Sequence, residues 1–173
     1  NILRYILLDD YSQFNIDGNL NSKTLNLKSL LYSDKEDQGI NERFNMPDYF
    51  TLKLNTDIES LTYDNIYPNN IKGELVYNNN SLTAKDLSLN IFSGKMILNG
   101  KFYQKDLNQF KATSSIRLEK VNINKVFIAF NNFGQDFIQH KHIKGICSSN
   151  LIVNALLDSS LSLKPNNLDI SAK

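Results

Sequence analysis

Apolar and polar residues alternate along most of this chain, a period that predicts short strands, each with one apolar face. In residues 95–102, Met96, Leu98 and Phe102 fall on one face and Lys95, Asn99 and Lys101 on the other, with Ile97 breaking the rule. The same period runs through residues 50–58, where it aligns Leu52 with Leu54, through 87–91 around Leu89, and through 114–119, where it aligns Ile116 with Leu118. Strands are therefore predicted at 50–62, 71–77, 81–91, 94–103 and 110–119, a β meander, followed by 143–154 and 156–163. The turn chemistry agrees: Asn78, Asn79 and Asn80 tolerate left-handed backbone, and Gly94 follows Ser93 where the chain must bend. Upstream, 14–20 and 24–31 predict a hairpin through Asn21, Ser22 and Lys23, and the charged, aperiodic residues 33–46 predict a mobile loop. Residues 1–11 fit a short helix or a strand.

One segment changes period. Asn122 can cap a helix whose apolar positions Ile123, Val126, Phe127, Phe130 and Phe133 follow helical spacing, with Gly134 where the helix should stop. Such a helix, about 18 Å long and about 10 Å wide, covers roughly two to four strands spaced about 4.8 Å apart, whereas roughly nine or ten strands are predicted. The rest of the apolar face must meet a second sheet, close into a barrel, or stay open to an apolar ligand. On pattern alone the fold expected is mainly β with one short α-helix, a β-sandwich first, with a barrel or a curled sheet that leaves an open apolar groove as the alternatives. In the groove version Leu52, Leu54, Leu89, Met96, Leu98, Phe102, Ile116 and Leu118 share the lining. Ile123, Val126, Phe127 and Phe130 then form a helical lid over one end of the sheet.

Length and composition narrow the class. The 173 residues suit a single domain with a substantial core. The start at Asn1 rather than Met, and an end at 168–173 that reads as a strand cut short, suggest a fragment of a longer protein. A 41% hydrophobic and 21% charged composition is ordinary for a folded domain. A net charge of +1, with lysines spread among acids, argues against nucleic acid. The single cysteine, Cys147, excludes an internal disulfide and reads as a small half-buried side chain. No run approaches the roughly 18 apolar residues of a membrane span, and no signal peptide is visible.

Catalytic chemistry is sparse. His140 and His142 would share one side of a strand, but zinc needs three or four ligands, and Lys141 and Lys144 are repulsive. Asp9 and Asp10, and the acids between Asp34 and Asp37, sit in polar surroundings that raise no carboxyl pKa. There is no Gly-x-Ser-x-Gly elbow, phosphate-binding glycine loop or Cys-His pair, so neither an enzyme nor a metal or cofactor is expected. A glycan-binding sandwich would display exposed aromatics, for which Tyr63, Tyr67 and Tyr77 are the candidates. A structural or assembly protein whose groove takes a partner's strand is a further alternative.

Two stretches carry a family resemblance. Residues 71–77 (Ile-Lys-Gly-Glu-Leu-Val-Tyr) and 82–102, through Ser93-Gly94 and Asn99-Gly100, resemble the C-terminal region of the AsmA-like proteins of Gram-negative envelopes. So do Asn124-Lys125-Val126-Phe127, then Phe130-Asn131-Asn132-Phe133-Gly134-Gln135, then Ile143-Lys144-Gly145; together these cover about residues 50–173. The resemblance implies a periplasmic protein held in the inner membrane by an N-terminal helix that this chain lacks. It implies a strongly curved sheet whose apolar concave face carries phospholipid acyl chains between membranes, contributing to outer-membrane biogenesis, with envelope proteins as partners, and it moves the expected fold from the sandwich, kept as the alternative, to a curved antiparallel sheet forming an open, taco-like apolar groove with one short α-helix. It implies no catalytic residue.

Overall fold

The computed structural model describes residues 14–27, 29, 46 and 50–172. The expectations for residues 1–11 and for the loop at 33–45 lie outside the described residues. Eight strands form one sheet in sequence order: β1 (Phe14–Asn26), β2 (Phe50–Thr62), β3 (Asn69–Asn78), β4 (Ser81–Ile91), β5 (Gly94–Asp106), β6 (Gln109–Asn122), β7 (Ile146–Asp158) and β8 (Leu163–Ala172). A helix, α1 (Ile123–Ala129), and two 3-10 turns, Asn131–Gly134 and His140–His142, lie between β6 and β7. β1 and β8 do not pair with each other, so the sheet is curved and unclosed. Among the described residues no second sheet faces it, and the sandwich alternative fails.

Three expectations change. The hairpin predicted through Asn21, Ser22 and Lys23 is replaced by the continuous strand β1, because that stretch contains no glycine and pairs along β2 (Asn21 with Asp57, Ser22 with Ile58, Thr24 with Ser60); residues 28, 30 and 31 of its expected second strand lie outside the described residues. That pair is parallel and the other six are antiparallel. A parallel pair needs a return crossover of a dozen or more residues, for which residues 27–49 leave room. At the other end the strand predicted at 156–163 falls across the end of β7 and the turn, and the last strand is β8 at Leu163–Ala172. Leu156 and Leu157 belong to β7, and the turn falls at Asp158, whose carboxylate accepts the N–H groups of Ser160 and Ser162, both at 3.0 Å.

The third change is the helix, which ends at Ala129, four residues short of Phe133. Asn122 caps it as expected, its side chain accepting the Lys125 N–H at 3.3 Å. Asn131, Asn132 and Phe133 then take positive φ of 47°, 52° and 56°, a conformation that asparagine tolerates and that stops the helical ladder before Gly134.

Candidate functional site

Strand register sorts the side chains. Leu52, Leu54 and Ile58 of β2 stand opposite Tyr77, Leu75 and Ile71 of β3. Leu82, Leu87 and Leu89 of β4 stand opposite Phe102, Leu98 and Met96 of β5, and the last two of these face Ile116 and Leu118 of β6. Ile116 faces Leu151 of β7, and Val153 of β7 faces Ile170 of β8. All eight predicted groove residues, Leu52, Leu54, Leu89, Met96, Leu98, Phe102, Ile116 and Leu118, thus share one face. Ile97 projects from the opposite face, beside Arg117.

Two bulges keep that face apolar when the sequence changes phase. In β4 the inward positions are Leu82 and Ala84, then Leu87, Leu89 and Ile91. The step from even to odd is absorbed at Asp86 (φ 47°), where Asp86 and Leu87 together oppose Gly73. The Asn99 side chain completes the bulge, accepting the Asp86 N–H at 2.9 Å and donating to the Asp86 carboxylate at 3.0 Å. In β6 the step from Leu118 to Val121 is absorbed at Lys120 (φ 53°), whose N–H donates to the Ser148 hydroxyl at 2.9 Å. Bulges bend the strands that contain them, and Gly94 lets β5 approach β6 closely at the same end, because a Cβ there would lie 2.5 Å from the Glu119 carbonyl oxygen.

Burial follows the curvature. A flat single-layer sheet leaves both faces in water, yet Ile58 is 3% exposed and Phe110 0%. They are covered by neighbours on the same face, which places the apolar face on the inside of the bend. One cluster, Ile58, Ile71, Leu89 and Ile91, sits at the end near Phe92; the other, Met46, Tyr77 and Phe110, sits at the opposite end. Met46 is buried there rather than at the end of a loose loop, its N–H donating to the Gln104 side chain at 3.0 Å and its carbonyl accepting from Asn80 at 2.7 Å. Between the clusters Leu54, Leu75, Leu98, Ile116 and Leu151 are only half-buried.

The outer face is mainly polar, with Val76, Ile97 and Ile152 as exceptions, and carries a ladder of ion pairs. Glu74 lies between Lys85 (2.7 Å) and Lys53 (3.3 Å), and Asp57 pairs with Lys72 at 2.9 Å. The hydrogen bond from Lys85 is the main cause that holds the Glu74 carboxyl below the usual carboxylate range; Lys53 adds to it, and desolvation opposes it. A lowered folded-state pKa means that the charged pair stabilises the sheet above the ordinary glutamate value, and that this contribution fades as pH falls through the lowered one. Glu74→Gln is expected to flatten that part of the acid limb, read as the urea midpoint against pH for the two proteins.

The predicted lid sits at the end of the sheet. None of its residues is fully buried: Ile123, Val126 and Phe127 are half-buried, and Phe130 is 47% exposed. Phe130 meets Phe92 edge-on at 6.3 Å and stacks on Phe133 at 5.5 Å. The backbone of Asn122 bonds to Phe92 at 2.8 Å, and Lys125 donates to the Ser93 hydroxyl at 2.8 Å, so the helix is pinned to the β4–β5 turn. Between it and the β2–β3 turn lies a hollow of about 700 Å³, bordered by Ile91 and Phe92 of the inner cluster and by Tyr67, Lys125 and Ile128.

Other candidates find structural places. His140 and His142 lie in a 3-10 turn rather than a strand. The His140 N–H donates to Asn132 at 2.8 Å, and the His142 ring accepts the Gln139 N–H at 3.3 Å. Among the described residues no three His, Cys, Asp or Glu side chains come together. Cys147 is half-buried opposite Val121. Tyr77 is on the inner face, stacked on Phe50 at 4.7 Å, while Tyr67 is 64% exposed, so the three tyrosines form no common platform. The sequence reading missed Ile58, Ile71, Tyr77, Ile91 and Phe110 as lining residues, although all five obey the same two-residue period. Among the described residues no helix is long and apolar enough to cross a membrane. No protein-family model, curated protein or solved structure matches the chain.

Proposed function

We propose that the inner face of this sheet holds the acyl chains of phospholipid, and that the chain is a non-catalytic lipid-binding or lipid-transfer domain of the AsmA-like type. In this reading it works in the periplasm of a Gram-negative envelope, tethered to the inner membrane by an anchor outside this sequence, and contributes to outer-membrane assembly. One observation carries the reading: an apolar face continuous across eight strands, which no other layer among the described residues covers and whose middle is half-buried. Soluble monomers rarely leave so large an apolar surface to water. Seven strand spacings of about 4.8 Å make the face about 34 Å long, ample for an acyl chain that fills one leaflet, about half of a ~30 Å bilayer core. Recognition by burial needs no directed polar group, which suits an inner face built mostly from aliphatic and aromatic side chains, with Thr56 and Ser114 among the few polar ones.

The test is mass spectrometry of organic extracts from the purified protein. Phospholipid is expected in the parent, and Leu98→Asp and Ile116→Asp should each lower it severalfold while the strand signal in circular dichroism persists, because an open wall tolerates a hydrated carboxylate. Extracts free of lipid, or unfolding by either single change, would contradict the reading, since a closed core is what a carboxylate destroys.

A further inference from the structure

Exposed apolar side chains are unevenly distributed over this molecule. Among the described residues eleven large hydrophobics are exposed, and six of them, Ile128, Phe130, Phe133, Phe137, Ile138 and Ile146, fall within the α1–β7 segment. Phe137 is 89% exposed, a position that no packing requirement explains. The segment is nonetheless built. Asn124 donates to the carbonyls of His140 (2.5 Å) and Ile143 (3.3 Å), Gln135 accepts the Ile138 N–H at 2.8 Å, and Ile123 bonds to Gly145 at 3.2 Å. These bonds hold helix, 3-10 turns and the start of β7 as one unit.

The same stretch carries a positive balance. From Lys120 to Ile146 the charged residues are Lys120, Lys125, Asp136, Lys141 and Lys144, four positive and one negative, or +3, against +1 for the whole chain. All five are exposed, and none of the four lysines forms an ion pair among the described residues. Aromatic and aliphatic side chains that can enter the boundary between headgroups and acyl chains, interspersed with lysines that can meet phosphates, make a surface suited to an anionic bilayer.

We propose that the α1–β7 unit is a docking surface for an anionic membrane, placing the helix end of the sheet against the bilayer. The charge complementarity between unpaired lysines and anionic headgroups selects this occupant over a neutral one. The unit adjoins the inner face through the Phe92–Phe130 contact, and the hollow beside Lys125 lies between them. Docking here would bring the bilayer to the end of the apolar face; that last step rests on the lipid-binding reading, but the docking does not.

The chain contains no tryptophan, so Phe137→Trp supplies a single reporter at a position where exposure protects folding. With vesicles containing phosphatidylglycerol its emission should shift to the blue and the protein should sediment with them; vesicles of phosphatidylcholine alone should do neither. In the parent, Phe137→Asp should abolish sedimentation, and the pair Lys141→Glu, Lys144→Glu should weaken it about tenfold or more, an effect mimicked by high salt. Leu98→Asp, on the inner face, should leave sedimentation intact, so failure of the groove and failure of docking give different results. Equal binding to neutral and anionic vesicles, or no change with Phe137→Asp and with the lysine pair in variants whose circular dichroism is unchanged, would overturn the proposal.

Discussion

Phe110→Ala should cost about 3–5 kcal/mol of stability, the range for removing a fully buried aromatic ring. Phe110 has no exposed surface, stacks on Phe102 with ring centroids 5.5 Å apart, and joins Met46 and Tyr77 in the cluster at one end of the sheet. Among the described residues it is the larger of the two side chains that are buried completely, the other being Val121. For a domain of ordinary stability, roughly 5–15 kcal/mol, the loss is a large fraction of the total. It is measured as the difference in urea unfolding free energy from the parent. A cost below about 1 kcal/mol would mean that Phe110 is wetted in solution and that this end of the sheet is open.

Gly73→Ala should be comparably damaging for a different reason. A Cβ on Gly73 would lie 2.7 Å from the Leu87 Cα, a backbone atom that cannot swing aside, and Gly73 has φ of +155°, where side chains are rarely accommodated. The steric and conformational costs, each about 1–3 kcal/mol, together come to roughly 2–6 kcal/mol. Gly73 also stands opposite the Asp86–Leu87 bulge, so relief of the clash would push β4 away and flatten the bend. Alanine at Gly18, which has nothing within 4 Å of the corresponding Cβ, is the matched control and should be close to neutral. Equal midpoints for the two variants would show that β3 and β4 do not approach closely at the bulge.

The strands from Phe50 to Asn122 were legible because each buries one face only, and such burial writes a two-residue period. Residues 50–62 and 81–91 matched their strands from end to end. The same alternation also records the bulges. The inward step from Ala84 to Leu87 reverses the phase of the alternation, as does the step from Leu118 to Val121, and each reversal is a bulge with a left-handed residue, Asp86 or Lys120. Those phase reversals help bend the sheet, and a reading that counts alternating runs separately passes over them. Pairing direction at β1 left no comparable trace, because a strand's local period is the same whether its neighbour runs parallel or antiparallel. The helix stripe was visible but its length was not: Gly134 looked like the stop, while Asn131 and Asn132 had already turned the chain left-handed. The groove residues emerged together because one face of one sheet is a local property of sequence, whereas the burial of Tyr77 and Phe110 depends on how far distant strands curl toward each other.

Acyl chains should meet the inner face rather than the outer one, and photo-crosslinking distinguishes the two. A photoreactive amino acid placed singly at Met96, Leu98 and Ile116, and for comparison at Ile97 and Arg117, samples both faces of β5 and β6 at neighbouring residues. With radiolabelled phospholipid, the account predicts labelling at Met96, Leu98 and Ile116 and little at Ile97 or Arg117. Equal labelling of the two sets, or labelling confined to the outward pair, would contradict it.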